Sequence, residues 1–242
     1  MRDLSSRSRL LLFLIIFILA LLVLVPMRTG MDWMGLTDRG VAARSAQGSV
    51  WNGELVESQF GGAALGNVDA GLNLLPLVLG RAQIGVARSP DNAGLLGDFR
   101  GLFSFSGSRS AIDHMNATLP ADWVFAPLPV ASLELENLSV QFDEGQCADA
   151  DGLVRAHIAG SLGGIALPDA LIGNAACDDG ALLLPLISQS GMEQMDIRIS
   201  AAGEYSAELR IMAVDDDAHQ RMAQAGFAPG PNGYQFSVQG RF

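Results

Sequence analysis

Residues 131–142 read ASLELENLSVQF. Leu133 and Leu135 alternate with Glu134 and Glu136, the period of two that a strand shows when one face is buried and the other is wet. After Glu136 the phase changes. Asn137 and Ser139 fall on the face that Leu133 opened, while Leu138 and Val140 take the other. One extra residue in a strand produces this flip, so the segment predicts a strand with a bulge near Asn137.

The same period runs outward in both directions. In GNVDAGLNLLPL, Val68, Ala70, Leu72 and Leu74 alternate with Asn67, Asp69, Gly71 and Asn73. Ala82, Ile84 and Val86 do so in RAQIGVARS, and Phe99, Gly101, Phe103 and Phe105 share a face in GDFRGLFSFSG. Toward the C-terminus the pattern recurs in Met195, Ile197 and Ile199, then in Tyr205, Ala207, Leu209 and Ile211, and last in Tyr234, Phe236 and Val238. Gly, Pro, Asn or Asp bounds each run, and AAGEY predicts a tight hairpin around Ala202 and Gly203. Many strands at short spacing predict a mainly β chain: a curved antiparallel sheet, or a sandwich-like pair of sheets, rather than βαβ units. Two short helices are expected, one over residues 215–227, which open with Asp215, Asp216 and Asp217 and stop at Gly226, and one near residues 168–174.

The N-terminus differs. Residues 10–25, LLLFLIIFILALLVLV, carry no charged or polar side chain. Extended to Met27 the run makes a helix of roughly 27 Å, enough for a thin bilayer. Arg9 and Arg28 flank it, and Trp33 sits where an interfacial aromatic belongs. No pair of small residues after the run suits signal-peptide cleavage, so residues 10–27 read as an uncleaved transmembrane signal anchor. Arg2, Arg7 and Arg9 hold residues 1–9 in the cytoplasm and leave residues 28–242 outside it.

Charge narrows the function classes. The chain has 242 residues, no Lys and a net charge of −11, and because its first 30 residues carry +3 the remainder carries −14. Such a body is repelled by phosphate backbones, which argues against a nucleic-acid partner. Cys147 and Cys177 lie in the exported part. They read either as one bridge, closing a loop of about 30 residues for roughly 3–4 kcal/mol, or as two separate buried thiols.

Nothing in the pattern reads as catalytic, metal-binding or cofactor-binding. His114, His157 and His219 are scattered and none neighbours a Cys, which argues against zinc. Asp178 and Asp179 sit in a CDDG turn, and the three acids at 215–217 read as a helix start. Ser49 lacks the spacing of a nucleophile elbow. GSLGG at 160–164 lacks the Lys of a phosphate loop. The acids of residues 143–152 have the spacing of a calcium loop only in part, because Val154 stands where the twelfth-position Glu belongs.

One order of motifs spans nearly the whole chain. After the anchor comes GSVWNG, with Gly48, Ser49, Val50, Trp51, Asn52 and Gly53. Next is a strand-like GLNLLPLVLGRAQ, where Leu74 and Leu75 precede Pro76. Then follow ATLPADWVFAPLPVA, Cys147, the Cys177-Asp178-Asp179-Gly180 run, and the closing GYQFSVQGRF. This order resembles the protein N family of the type II secretion system. It departs from the family pattern where Leu replaces the Trp before Pro76.

The resemblance implies a non-enzymatic accessory component of the inner membrane, supporting transport of folded proteins from the periplasm through the outer membrane. It implies other inner-membrane platform proteins, and across the periplasm the secretin, as partners. A second plan, similar to AsmA-like periplasmic proteins, is a sheet whose apolar face binds or transfers lipid. Within the signature, Trp51 is expected to fill a gap that Gly48 and Gly53 leave in a curved sheet, and a buried Trp replaced by Ala costs roughly 3–5 kcal/mol.

Overall fold

The computed structural model describes residues 6–33, 41–60, 63–89, 97–162, 165–212, 222–224, 226–230 and 233–242. Two helices come first, α1 (Ser6–Val23) and α2 (Met27–Trp33). Next come β1 (Val41–Ala42), β2 (Ser45–Ser49), β3 (Asn52–Phe60), β4 (Ala63–Leu72), the short α3 (Leu74–Val78), β5 (Ala82–Arg88) and β6 (Phe99–Ser106). The long central strands are β7 (Arg109–Pro120), β8 (Val130–Asp143) and β9 (Gln146–Ile158). After them come β10 (Ser161–Leu162), β11 (Ile165–Ala166), β12 (Ala170–Asn174), β13 (Ala176–Asp178), β14 (Ala181–Ile187), β15 (Glu193–Ile199), β16 (Glu204–Ile211), β17 (Ala228–Gly230) and β18 (Gly233–Arg241).

Sixteen of these strands form one antiparallel sheet, while β10 and β11 pair apart from it. From β3 to β9 each strand pairs with its chain neighbour. The path then runs through β12, β14, β15 and β16 to β18 and β17. The curved sheet is therefore present and the sandwich is not: a single sheet supplies the fold. Its path is open, yet its ends meet at one point. Phe60, at the end of β3, stacks on Phe242 with ring centroids 6.3 Å apart, and Phe242 lies 5.0 Å from Tyr205 of β16.

A row of bulges bends it. Register shifts fall between Arg100 and Leu102 in β6, between Ile112 and Met115 in β7, and between Glu136 and Ser139 in β8. His114 and Asn137 take positive φ there, at 51° and 52°. The bulge read from the phase flip of 131–142 is thus at Asn137. Neighbouring side chains satisfy the backbone groups it frees. Asn137 N–H donates to Asn116 Oδ1 at 3.1 Å, and His114 N–H donates to Ser139 Oγ at 3.1 Å. On the other flank Gly152 is required, because a Cβ there would stand 2.5 Å from Leu138 Cα.

The apolar face turns inward. Val130, Val154, Ala156, Leu186, Met195, Ile197 and Ala207 are fully buried in one cluster. The connection over 121–129 folds across that face, burying Ala121, Val124, Phe125 and Leu128. It is held by the Tyr205 hydroxyl, which donates to the Val124 carbonyl, and by Phe125, whose ring meets Tyr205 edge-on at 5.6 Å. The hairpin expected at Ala202–Gly203 joins β15 to β16, with Gly203 at φ 79°.

Two local expectations fail. The pattern of residues 168–174 predicts a short helix, but Ala170–Asn174 is β12, paired to β9 and β14. Gly173 instead admits the backbone of β14, whose Pro185 oxygen occupies the place of a Cβ at 1.9 Å. Second, Leu74, Leu75 and Pro76 do not extend β4. Pro76 has no N–H for the ladder but fits the first turn of a helix, where that N–H would be unpartnered. The turn closes on Gly80 at φ 76°, with Gly80 N–H donating to Leu77 O at 3.0 Å and Arg81 N–H to Pro76 O at 2.9 Å. Of the helix expected at 215–227, residues 215–221 lie outside the described residues. Residues 222–224 are helical, and Met222 and Phe227 are buried against the sheet.

Candidate functional site

The signature Gly48–Gly53 forms a hairpin corner. Ser49 pairs with Asn52 and Gly48 with Gly53, leaving Val50 and Trp51 as a two-residue turn between β2 and β3. Gly48 has φ 79°, and a Cβ on it would meet Asn52 O at 2.6 Å. A Cβ on Gly53 would meet Gln47 O at 2.8 Å, Ser49 O at 2.9 Å and Met27 Cγ at 3.0 Å. Gly71, the next strand over, lies under the corner, with Trp51 O 2.5 Å from its missing Cβ. The glycines therefore permit three backbones and α2 to crowd around one turn.

That turn is where the N-terminal segment joins the sheet. Val50 N–H donates to Val25 O at 3.0 Å, and Val50 O accepts from Leu72 N–H at 2.8 Å. Pro26 forms a bridge with Ser49. Met27 and Met31 of α2 are then buried with Leu55 and Ala70. Val50, at 9% exposure, and Gly53 are the buried members of the signature. Trp51 is half-buried: its indole lines the rim of a groove, and the glycines accommodate the corner's backbone.

The rim belongs to an open groove of about 610 Å3 on the face opposite the apolar core. Its floor is small, made by Gly71, Gly85, Ala87 and Gly101 on successive strands. Asp69, Asn73, Arg100, Asp113, His114 and Asn116 supply its polar groups. Several are already oriented. Ser104 Oγ donates to Asp113 Oδ2 at 2.8 Å, His114 Nδ1 lies 2.9 Å from Asn137 Oδ1, and Asn73 Nδ2 donates to Gln83 Oε1 at 3.0 Å. Such a surface offers hydrogen bonds over a flat floor and suits a polar polypeptide segment better than an enclosed small molecule. Period two puts Gly71, Gly85 and Ala87 opposite the core residues but groups Gly101 with Phe99 and Phe103, and it does not show that their strands are adjacent, so the groove is not legible in the sequence.

Cys147 and Cys177 form a disulfide, with Cα atoms 5.5 Å apart, which closes the question of separate thiols. It joins the start of β9 to β13, and Cys147 N–H donates to Gly180 O at 2.8 Å across the Asp179–Gly180 turn. The CDDG run is the turn its composition indicated, with Asp179 at φ 49° and Gly180 at φ 75°. The acids of 143–152 form no loop. Asp143 ends β8, Glu144 and Gly145 are the turn of the β8–β9 hairpin, and Asp149 and Asp151 lie along β9. Asp143 accepts from Arg109 Nε at 2.9 Å and from Ser108 Oγ at 3.1 Å. The hydrogen bond from Arg109 is the main cause that holds its carboxyl below the ordinary range. His114 and His157 lie on different strands, and His219 lies outside the described residues. Among the described residues no three His, Cys, Asp or Glu side chains are grouped to hold a metal ion.

On the apolar face, the cavity lined by Pro129, Ile158, Leu171, Met195 and Leu209 holds about 10 Å3. That is room for about one water at most, and far below an acyl chain.

A family model described as type II secretion system (T2SS), protein N, matches residues 39–237. The chain is also similar to the type II secretion system protein N of Vibrio cholerae serotype O1 (strain ATCC 39315 / El Tor Inaba N16961), with 21% identity over 246 residues, covering 96% of each chain. No solved structure matches. With the signature corner, the disulfide and the sheet spanned by one match, the chain belongs to the protein N family of the type II secretion system.

Proposed function

We propose that this chain is a non-enzymatic accessory subunit of the secretion system, held in the inner membrane by one span, with its N-terminus in the cytoplasm and its sheet in the periplasm. Family membership supports a place in the machine. The observation that carries the topology is how α1 meets the sheet. α1 is an eighteen-residue helix whose residues 11–17 are all exposed, and it enters the Val50–Trp51 corner with almost no linker. Among the described residues no helix is long and apolar enough to cross a membrane. The span is therefore read from the uncharged run 10–25 together with α1's exposed Leu11, Phe13 and Ile15. Residues 1–9 are then the cytoplasmic tail and residues 28–242 the periplasmic domain. A disulfide inside the sheet fits an oxidising compartment.

Its work is docking. The polar groove behind Trp51 and the open edge at β2 are the surfaces offered to the inner-membrane platform proteins and to the secretin. The lipid-carrier reading is disfavoured, because the apolar face is filled by 121–129 and by Met222 and Phe227. The test is secretion. Cells lacking the chain should accumulate folded cargo in the periplasm, and restoring the full chain should release it. Unimpaired secretion without it, or stoichiometric acyl chains bound to the purified full chain, would overturn the reading.

A further inference from the structure

The short α3 is built of apolar residues and buries almost none of them. Leu74 is 59% exposed, Leu75 84%, Val78 84% and Leu79 86%, with Leu77 at 39%. No charge interrupts residues 74–80. A cluster of this kind on a soluble face marks a contact site. It is not a frayed loop. Its C-terminal end is closed by the hydrogen bonds to Leu77 O and Pro76 O, and its N-terminal end by Asn73 N–H donating to Gln83 O at 2.8 Å. Local geometry therefore holds the apolar side chains outward.

Its position names what covers it. Val25, Val50 and Leu72 are hydrogen-bonded in series, so the exit of α1 and the start of α3 lie about two strand spacings, or ~10 Å, apart at one end of the sheet. Whatever surface α1 leaves, α3 faces at close range. Exposed Arg81 follows directly, where a headgroup phosphate would lie.

We propose that α3 is a second membrane contact: a foot whose Leu74, Leu75, Val78 and Leu79 insert into the periplasmic leaflet beside the anchor, fixing the tilt of the sheet on the bilayer. This rests on the single-span reading. Because the exported body is acidic, the contact is hydrophobic, and added salt leaves it in place.

Both native cysteines are bonded, so a new single cysteine can be labelled selectively. The full chain is reconstituted in vesicles of phosphatidylethanolamine and phosphatidylglycerol. An environment-sensitive fluorophore is placed in turn at Leu14→Cys in α1, at Leu75→Cys and Val78→Cys in α3, and at Asp122→Cys beyond the far end of β7. Quenching by lipids carrying a nitroxide on the acyl chain is then measured. The proposal expects strong quenching at 14, quenching at 75 and 78 severalfold above that at 122, and no change on adding salt. It also expects a label at Leu79→Cys to lose its quenching when Leu75→Asp and Val78→Asp are combined; both side chains are exposed, so the fold survives. Quenching at 14 with none at 75 and 78 overturns the foot and leaves the anchor standing. A blue-shifted but unquenched label at 75, the sign of a protein cover such as a second copy, also overturns it. No quenching at 14 overturns the anchor, and the foot with it.

Discussion

The first six strands and the strands from β8 onward obey the same alternation but are built to different depth. All but four of the buried members of the main cluster lie at Ala121 or later, whereas the cluster under β3 and β4 has four buried members: Met27, Met31, Leu55 and Ala70. Among the described residues, three of the four buried polar side chains, Ser58, Ser89 and Ser104, belong to the shallow side. So does Arg88, which lies 6.0 Å from the Phe99 ring centre and whose pKa is lowered by burial, partly offset by Asp98. The glycine floor, the groove, the signature corner and α3 are all there too. Stability is concentrated where no candidate surface lies, and candidate surfaces lie where little apolar area is buried. The deep side acts as scaffold and the shallow side as contact.

Substitutions can break that division. The largest effect is expected in the deep core. Leu186→Ala, fully buried, should cost about 2–5 kcal/mol in urea unfolding. Cys147→Ser with Cys177→Ser follows at roughly 3–4 kcal/mol, because the bridge closes a 30-residue separation. An equal loss from a shallow-side truncation would erase the contrast.

Gly53→Ala comes next. Its Cβ meets two backbone oxygens and Met27, so we expect about 1–3 kcal/mol, felt locally. Protease cleavage between α2 and β2 should accelerate while the unfolding of the deep side is unchanged. Trp51→Ala should cost less than the 3–5 kcal/mol of a buried indole, on the order of 1 kcal/mol, with abundance near normal. Full abundance together with lost secretion would make the indole a contact; a collapse in abundance would return it to the core.

The smallest effect is electrostatic. Asp143 is held below the ordinary carboxylate range, first by the Arg109 hydrogen bond and then by Ser108. A depressed folded-state pKa contributes stability that is present above the unfolded value and lost as pH falls through the folded one. Carboxyl resonances should show Asp143 titrating below ordinary Asp residues, and Arg109→Ala should move it upward. Both partners are solvent-exposed, so the stability change should sit near the limit of measurement.

The sequence was legible where alternation meets burial on one face. Leu133 to Val140 told of both a strand and its bulge, and Tyr205 to Ile211 and Tyr234 to Val238 behaved as their period required. It was illegible where backbone approach, not side-chain pattern, decides. Gly173 looks like a helix-end residue until β14 is seen lying against it, and the LLP run looks like strand until Pro76 and Gly80 are read together as the start and stop of one turn. The groove was hidden for a third reason: Gly71, Gly85 and Gly101 are weak signals singly and form a floor only once β4, β5 and β6 are neighbours.

Residue-resolved amide hydrogen exchange on the full chain tests the division of labour most directly. Protection in β14, β15 and β16 should reach the free energy of global unfolding, while β2 to β5 open locally at distinctly lower cost. Uniform protection from β2 to β18, all lost in one step, would contradict it.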